Sequence, residues 1–589
     1  MAAIVVSEIA SGKHQIASPS ALLSVVKGVP LREEPGLGAL TLPGLLREVT
    51  VRFADREALV LHTPDGVVRW SYATLWERAM EIARALLACG VAKDTRVGVL
   101  MTNRPEWVSA FFGIGLAGGV AVALSTFSTP PELEYLLQAS GISILLFERA
   151  VAKKDFAVIL RELEPKIRTA KPGELSSVKF PFLRRLAVVD DALASGVIES
   201  WPAFLAHGNV TSRALVEATT AMTKPADAAA LFLSSGSTNR PKGILSSHRA
   251  VAIQCWRWRR MFALRDDVRT WTANGFIWSG NFGNALGTTL AAGGAVVLQR
   301  IFDPVEALEL MQAERVTIPH AWPHQWAQLE SAPNWNTVDL SGLRYVDPSR
   351  PAARHPTFSA PGWVEPTCSY GNTETFTITT AFSSDTPLDV KGTSHGEALP
   401  GNTIKIVDPE SGAVVPRNAR GEIAVKGPTL MLGYIGIPID ESLDEEGFFH
   451  TGDGGYIDDA GRLHFEGRLT DIIKTGGANV SPVEVDSVLR SCPGVKVGQT
   501  VGVPHETLGE MVVSCVVPHE ESAMDEAAVR DFLKQRLASY KVPRRVLFVR
   551  EEEVALTGSA KIKAGALRDL VSKRLSTEAS VPPRKTGAP

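Results

Sequence analysis

The chain has 589 residues, 45% hydrophobic and 21% charged, enough for several domains with a core that needs neither disulfides nor metal to hold it. Its 61 Lys and Arg against 64 Asp and Glu leave a net charge of -3, which excludes a basic field for nucleic acid. The five cysteines, Cys89, Cys255, Cys368, Cys492 and Cys515, are scattered and contain no C-x-x-C pair, which argues against a zinc site or disulfide framework and places the chain in the reducing cytosol.

The first residues, MAAIVVSEIASGKH, hold an apolar run too short for a secretory signal, and residues 1–35 are expected to be peripheral. From about residue 45 strand-like and helix-like segments alternate. Arg96 to Met101 reads as a strand, and Asn103 as the cap of a helix with Pro105 in its first turn and Glu106 at N3. Ser109 to Phe127 is 19 residues without a charge. Gly118-Gly119 punctuates it and Val120 to Leu124 is β-branched, so it reads as a buried helix, turn and strand rather than a membrane span. Pro131 to Ala139 reads as a helix and Ile142 to Phe147 as a strand. This rhythm predicts an α/β fold with mostly parallel sheets flanked by helices. Residues 150 to 225 look less regular and loop-rich.

Three motif matches fail on context. Gly113-x-Gly115-x-x-Gly118 runs from a helix into a strand, the reverse of a dinucleotide fingerprint. Gly392-Thr393-Ser394-His395-Gly396 is followed too soon by Pro400-Gly401 for a nucleophile elbow. Gly236 to Gly243 has Lys-Gly where a Walker A loop needs Gly-Lys-Ser/Thr.

Leu231 to Gly243 is more informative. An apolar strand runs into Ser234, Ser235, Gly236, Ser237 and Thr238, whose hydroxyls and amides suit phosphate oxygens, and Lys242 adds a mobile charge. Tyr370, Gly371, Asn372, Thr373 and Glu374 put a ring, a turn, a hydroxyl and a carboxylate in five consecutive positions. The ring suits a base, and Glu374 suits Mg²⁺, which takes one or two carboxylates plus substrate phosphates. Thr451-Gly452-Asp453 offers an acceptor for ribose hydroxyls, and Gly467-Arg468 a guanidinium fork. After residue 470 the texture becomes that of a compact α+β domain. Ser481-Pro482-Val483-Glu484 opens a helix with a capping box. Two strands, Lys496 to Val503 and Met511 to Val517, a helix, Asp525 to Leu537, and a strand, Val546 to Val549, follow. Residues 576–589 are Pro-, Ser- and Lys-rich and are expected to be disordered.

In this order the motifs resemble the adenylate-forming superfamily: AMP-forming acyl-CoA synthetases, beetle luciferases and peptide-synthetase adenylation domains. His248, Gly421-Glu422-Ile423, Gly433-Tyr434, Leu537 to Pro543 and Thr557 to Lys561 add to the match. The resemblance implies a large AMP-binding domain over 36–469 and a small mobile domain over 470–575. It implies ATP, Mg²⁺ and coenzyme A, and an acid–thiol ligase working in two half-reactions through an acyl-AMP. Lys561 would be the catalytic lysine, working with Thr373, Glu374 and Lys242. Asp453 and Arg468 would hold the ribose, and Lys474, Gly476 and Gly477 would serve coenzyme A. Thr470 would be the hinge, where the family usually has Asp or Lys. Ile277 and Trp278 would line the acyl pocket, with Phe282 and Phe376 as further walls. Amino-acid-activating relatives have an aspartate where Ile277 stands, so the resemblance implies a fatty or aryl acid, not an amino acid. Asn239, the stretch Val346 to Pro351 and Gly558-Ser559-Ala560 depart from the family pattern. Two other readings stay open: a ligase that loads a carrier protein or amine, and a catalytically impaired nucleotide-binding relative.

Overall fold

The computed structural model describes residues 22–190, 195–234, 242–360, 362–365, 368–475, 478–519, 522, 524–537, 539–553 and 564–580. Two largely parallel sheets carry the large domain. The eight-stranded one runs Ile198–Ser200, Arg185–Val188, Ile144–Phe147, Arg96–Leu100, Val120–Ala123, Ala228–Ser234, Lys242–Ser247, Gly433–Tyr434. Its strands are parallel as far as Ala228–Ser234 and antiparallel beyond it. The five-stranded one runs Ile318–His320, Arg269–Thr272, Ala295–Leu298, Glu57–Thr63, Gly66–Ser71, with only the last pair antiparallel.

The strands that read as unbroken apolar runs are the ones covered on both faces: every residue of Val120–Ala123 and Ile144–Phe147 is buried. Helix Pro105–Leu116 lies in the same core, with every residue but Glu106 buried. Gly118, at φ 77°, then lets the chain reverse into the strand at Val120. The uncharged stretch is thus a buried helix, turn and strand. No helix among the described residues is long and apolar enough to cross a membrane.

A third sheet is wholly antiparallel: Val25–Lys27, Thr403–Val407, Gly421–Lys426, Phe449–Ile457, Leu463–Arg468. The chain turns at Leu469 to Ile472, where the amides of Asp471 and Ile472 both donate to Arg468 O at 2.9 and 3.0 Å. Then the small domain begins. Its sheet joins Ala478–Val480, Ile473–Thr475, Gly509–Pro518 and Val495–His505, and Arg545–Phe548 pairs parallel with Gly509–Pro518. Helices Pro482–Leu489 and Glu526–Lys534 cover it.

Five expectations are corrected. Asn103 does not cap the helix after it. Arg104 is the cap residue, and the Asn103 side chain instead donates to Asn274 O at 2.8 Å and accepts from Phe276 N at 3.0 Å. A cap reads only local spacing, and here a tertiary partner outbids it. The Ser481 box is half formed: Ser481 Oγ accepts from Glu484 N at 3.3 Å, but the Glu484 carboxylate is taken by Lys541 at 2.6 Å. Residues 150–225 hold more order than their composition suggests, including helices Phe156–Leu163, Trp201–Ala206 and Arg213–Met222. At the ends, Val25–Lys27 is a paired edge strand and Glu34 forms a buried ion pair with Arg257 at 2.7 Å, so residues 22–35 are built in. The last helix, Ala564–Ser580, takes the first five residues of the expected tail, and 581–589 lie outside the described residues.

Candidate active site

The strand Ser369–Tyr370 leads into a turn that leaves no room for a side chain at Gly371, where a Cβ would lie 1.9 Å from Thr377 O. Asn372 caps the short helix Thr373–Thr375, its Oδ1 accepting from Thr375 N at 3.0 Å. Phe376 and Thr377 then adopt φ of 44° and 89°, a left-handed conformation that side chains disfavour. The Phe376 ring, fully buried against Phe232 and Phe282, holds this strain. The turn leaves Thr373 and Glu374 half-buried at its tip.

Glu374 is oriented from a distant strand. Tyr434 Oη donates to Glu374 Oε1 at 2.8 Å, Met431 N donates to Glu374 O at 2.7 Å, and Lys242 Nζ stands 4.9 Å from the centre of the Tyr434 ring. Burial and the neighbouring Glu374 charge push the Tyr434 phenol far up, so it stays a donor. Glu374 Oε2 has no partner among the described residues. Those residues contain no group of three or more His, Cys, Asp or Glu able to hold a metal by themselves. A single carboxylate with one free oxygen fits a magnesium ion that brings its other ligands as phosphate and water.

Asp453, on strand Phe449–Ile457, closes the cluster. Tyr370 Oη donates to Asp453 Oδ2 at 2.6 Å, and Arg468 Nε lies 3.0 Å from Oδ1. Arg468 Nη1 also donates to Thr451 O at 2.7 Å, and Thr451 Oγ1 takes the amide of Asp453 at 3.1 Å. Burial raises the Asp453 carboxyl above the usual carboxylate range, opposed by the Arg468 charge and the Tyr370 hydrogen bond. The Tyr370 ring, which sequence reasoning aimed at a base, is 5% exposed and packs on Phe465 at 5.3 Å. In this conformation it is the hydroxyl, not the ring face, that meets Asp453.

Other expected residues are placed as follows. Ser234 and Lys242 are cross-strand partners that flank residues 235–241. Ser235, Gly236, Ser237, Thr238, Asn239, Gly476, Gly477, Gly558, Ser559, Ala560 and Lys561 lie outside the described residues. Thr470 is exposed in the turn between the domains, and Lys474 is exposed on the strand Ile473–Thr475. Ile277 is buried in the core, as are Phe276 and Phe282, whereas Trp278 keeps part of its surface. Arg350 is engaged by Glu365 at 2.7 Å. His248 accepts from Leu42 N at 3.3 Å, and burial holds its ring neutral, with its pKa lowered to about 4.

Sequence reasoning passed over Tyr434 as a partner of Glu374, and missed the amide network around Asn274. Asn281 Nδ2 donates to Asn274 O at 2.6 Å, and Gln325 Nε2 donates to Asn274 Oδ1 at 3.0 Å. With Asn103 they pin the loop that carries Ile277 and Trp278. No spacing signals such pairs, because the partners sit up to 173 residues apart.

A model of AMP-binding enzymes matches residues 46–435, and a model of the AMP-binding enzyme C-terminal domain matches 484–561. A feruloyl-CoA synthase from an Amycolatopsis species is 31% identical over 510 residues, covering 85% of this chain and 94% of its own. A human mitochondrial medium-chain acyl-CoA ligase is 26% identical over 579 residues, covering 96% of this chain and 92% of its own. Among solved structures, ATP-bound MatB from Rhodopseudomonas palustris superposes with a TM-score of 0.69 at 26% identity, over 90% of this chain and 99% of that one.

Proposed function

The chain belongs to the AMP-binding enzyme family, and from that premise we propose that it is an AMP-forming acid–thiol ligase. A carboxylate oxygen of the acid attacks the α-phosphorus of ATP and pyrophosphate leaves, giving an acyl-AMP. The sulfur of coenzyme A then attacks the acyl carbon, its proton is released and AMP leaves. The observation that carries this reading is the convergence of Tyr370, Asp453 and Arg468 on one side, and of Glu374, Tyr434 and Lys242 on the other.

Nucleotidyl transfer needs positioning and charge neutralisation more than covalent help. Asp453 accepts from the ribose hydroxyls on lone pairs that Tyr370 and Arg468 leave open. Thr373 donates to the α-phosphate. Lys242, with Ser234 to Thr238, neutralises the departing pyrophosphate, and Lys561 bridges the carboxylate and the α-phosphate. Glu374 would hold Mg²⁺ together with the phosphates, and the ion would supply further charge neutralisation. Rotation about Thr470 exchanges Lys561 for the stretch of Lys474, Gly476 and Gly477, along which the pantetheine arm enters. The acid is fatty or aryl and lacks an α-ammonium, because Ile277 would leave an ammonium unpaired at a cost of several kcal/mol. Relatives named for feruloyl and medium-chain acids fit that choice. We place the enzyme in the cytosol, in keeping with five cysteines none of which forms a disulfide.

Pyrophosphate release over a panel of fatty, aryl and amino acids, with and without coenzyme A, tests this. Release from fatty or aryl acids, with thioester formed when coenzyme A is present, is the expected result. Release without thioester, with the acyl group passing to an amine or a carrier protein, would replace coenzyme A as acceptor. No release from any acid would return the chain to a nucleotide-binding role.

A further inference from the structure

His320 closes the edge strand Ile318–His320 and pairs in register with Thr272, and Ala273 N donates to His320 O at 2.9 Å. Both residues therefore stand at the carboxyl ends of neighbouring parallel strands, the rim at which open α/β sheets bind ligands. The loop leaving Thr272 carries Phe276, Ile277 and Trp278. Along this rim the polar side chains satisfy one another. Thr272 Oγ1 donates to Asn281 Oδ1 at 2.7 Å, and Asn103, Asn281 and Gln325 all bond to Asn274.

His320 is different. Its Nε2 is sealed from solvent and has no hydrogen-bond partner among the described residues. Burial, with the Arg350 charge adding to it, lowers its pKa to about 4, so the ring is neutral at pH 7, with one donor and one acceptor nitrogen. Arg350 is itself neutralised by Glu365, and the Phe262 ring lies 5.8 Å away. A desolvated, unpaired ring nitrogen on a ligand-binding rim is a cost in the free protein that a substrate oxygen can relieve.

We propose that His320 hydrogen-bonds a hydroxyl or carbonyl oxygen carried on the body of the acid, away from the reacting carboxylate. The substrate class is then an apolar acid bearing one oxygen function, rather than a plain hydrocarbon or unsubstituted aryl acid. This rests on the acid–thiol ligase reading.

The test compares kcat/KM for coenzyme A-dependent AMP release on matched pairs: hydroxyphenylpropanoic against phenylpropanoic acid, and keto-octanoic against octanoic acid. The wild type should favour the oxygenated member of at least one pair by about tenfold to a hundredfold. His320→Leu should erase or invert that ratio while still turning over the plain acid, and His320→Gln, which keeps a donor and an acceptor, should retain part of it. Circular dichroism melting checks that both variants fold. A wild type that prefers the plain acid in every pair, or a ratio unchanged in His320→Leu, overturns the proposal while leaving the ligase reading intact. Absence of AMP release from every acid overturns both. Should His320→Leu fail to fold, loss of the preference in His320→Gln to the level of the plain acid also overturns it.

Discussion

Asp453 in the large domain and Asp486 in the small domain are both nearly sealed, at 4% and 6% exposure. Asp453 meets Arg468 at 3.0 Å and the Tyr370 hydroxyl at 2.6 Å, and the Arg468 side chain is half exposed. Asp486 lies on the buried face of the helix Pro482–Leu489, and its Oδ1 is buried with no partner among the described residues. Burial pushes its carboxyl up to about 7, against weaker help from Thr500 and the Arg490 charge. The pairing, not the burial, separates the two. A buried carboxylate beside a half-exposed guanidinium keeps a charged partner that a ligand can share, whereas one without such a partner holds its proton up to about neutral pH and belongs to the fold.

The sharpest way to break this division is Lys561→Ala, because it takes a charge from the small domain and not from the large one. Acyl-AMP formation should fall by about 10²–10³ or more, while thioester formation from supplied acyl-AMP is largely spared. Equal losses in both half-reactions, in single-turnover assays, would remove Lys561 from the role of adenylation residue.

Asp486 tests the other side. Its folded carboxyl binds a proton more tightly than the unfolded one, so the contribution to stability is fully present below about pH 4 and is lost as pH rises through about 7. The small domain should lose on the order of 3 kcal/mol between pH 5 and pH 8, and Asp486→Asn should flatten that slope. Hydrogen exchange of peptides from 482–489 and 509–518, corrected for intrinsic rates, reads it. A parallel slope in wild type and variant would show that Asp486 does not titrate there.

Asp453→Ala should weaken ATP binding by about a hundredfold, since charge-assisted bonds each contribute about 1.5–3 kcal/mol. Equilibrium binding of ATP measures it, and an unchanged Kd would move the ribose elsewhere. The smallest effect is expected of Tyr434→Phe, which removes one hydrogen bond from Glu374 and leaves the ring under Lys242. The Mg²⁺ needed for half-maximal ATP binding should rise about fivefold to tenfold. No change in that concentration would show that Glu374 is oriented by its backbone turn alone.

The sequence by itself determined what depends on short-range pattern. Unbroken apolar runs such as Val120 to Ala123 demanded burial on both faces and hence parallel strands. The order of the motifs around Tyr370, Asp453 and Arg468 placed the chain in a family with a large and a small domain. Only the tertiary structure decided what each polar side chain meets. It turned Asn103 from a helix cap into a clamp on the loop before Ile277, and gave Glu484 to Lys541. It also buried the Tyr370 ring, so that its hydroxyl faces Asp453. The reason is that a side chain's donors and acceptors go to the partner that packing brings within about 3 Å. For these residues that partner lies 57 to 173 positions away, beyond the reach of any local spacing rule.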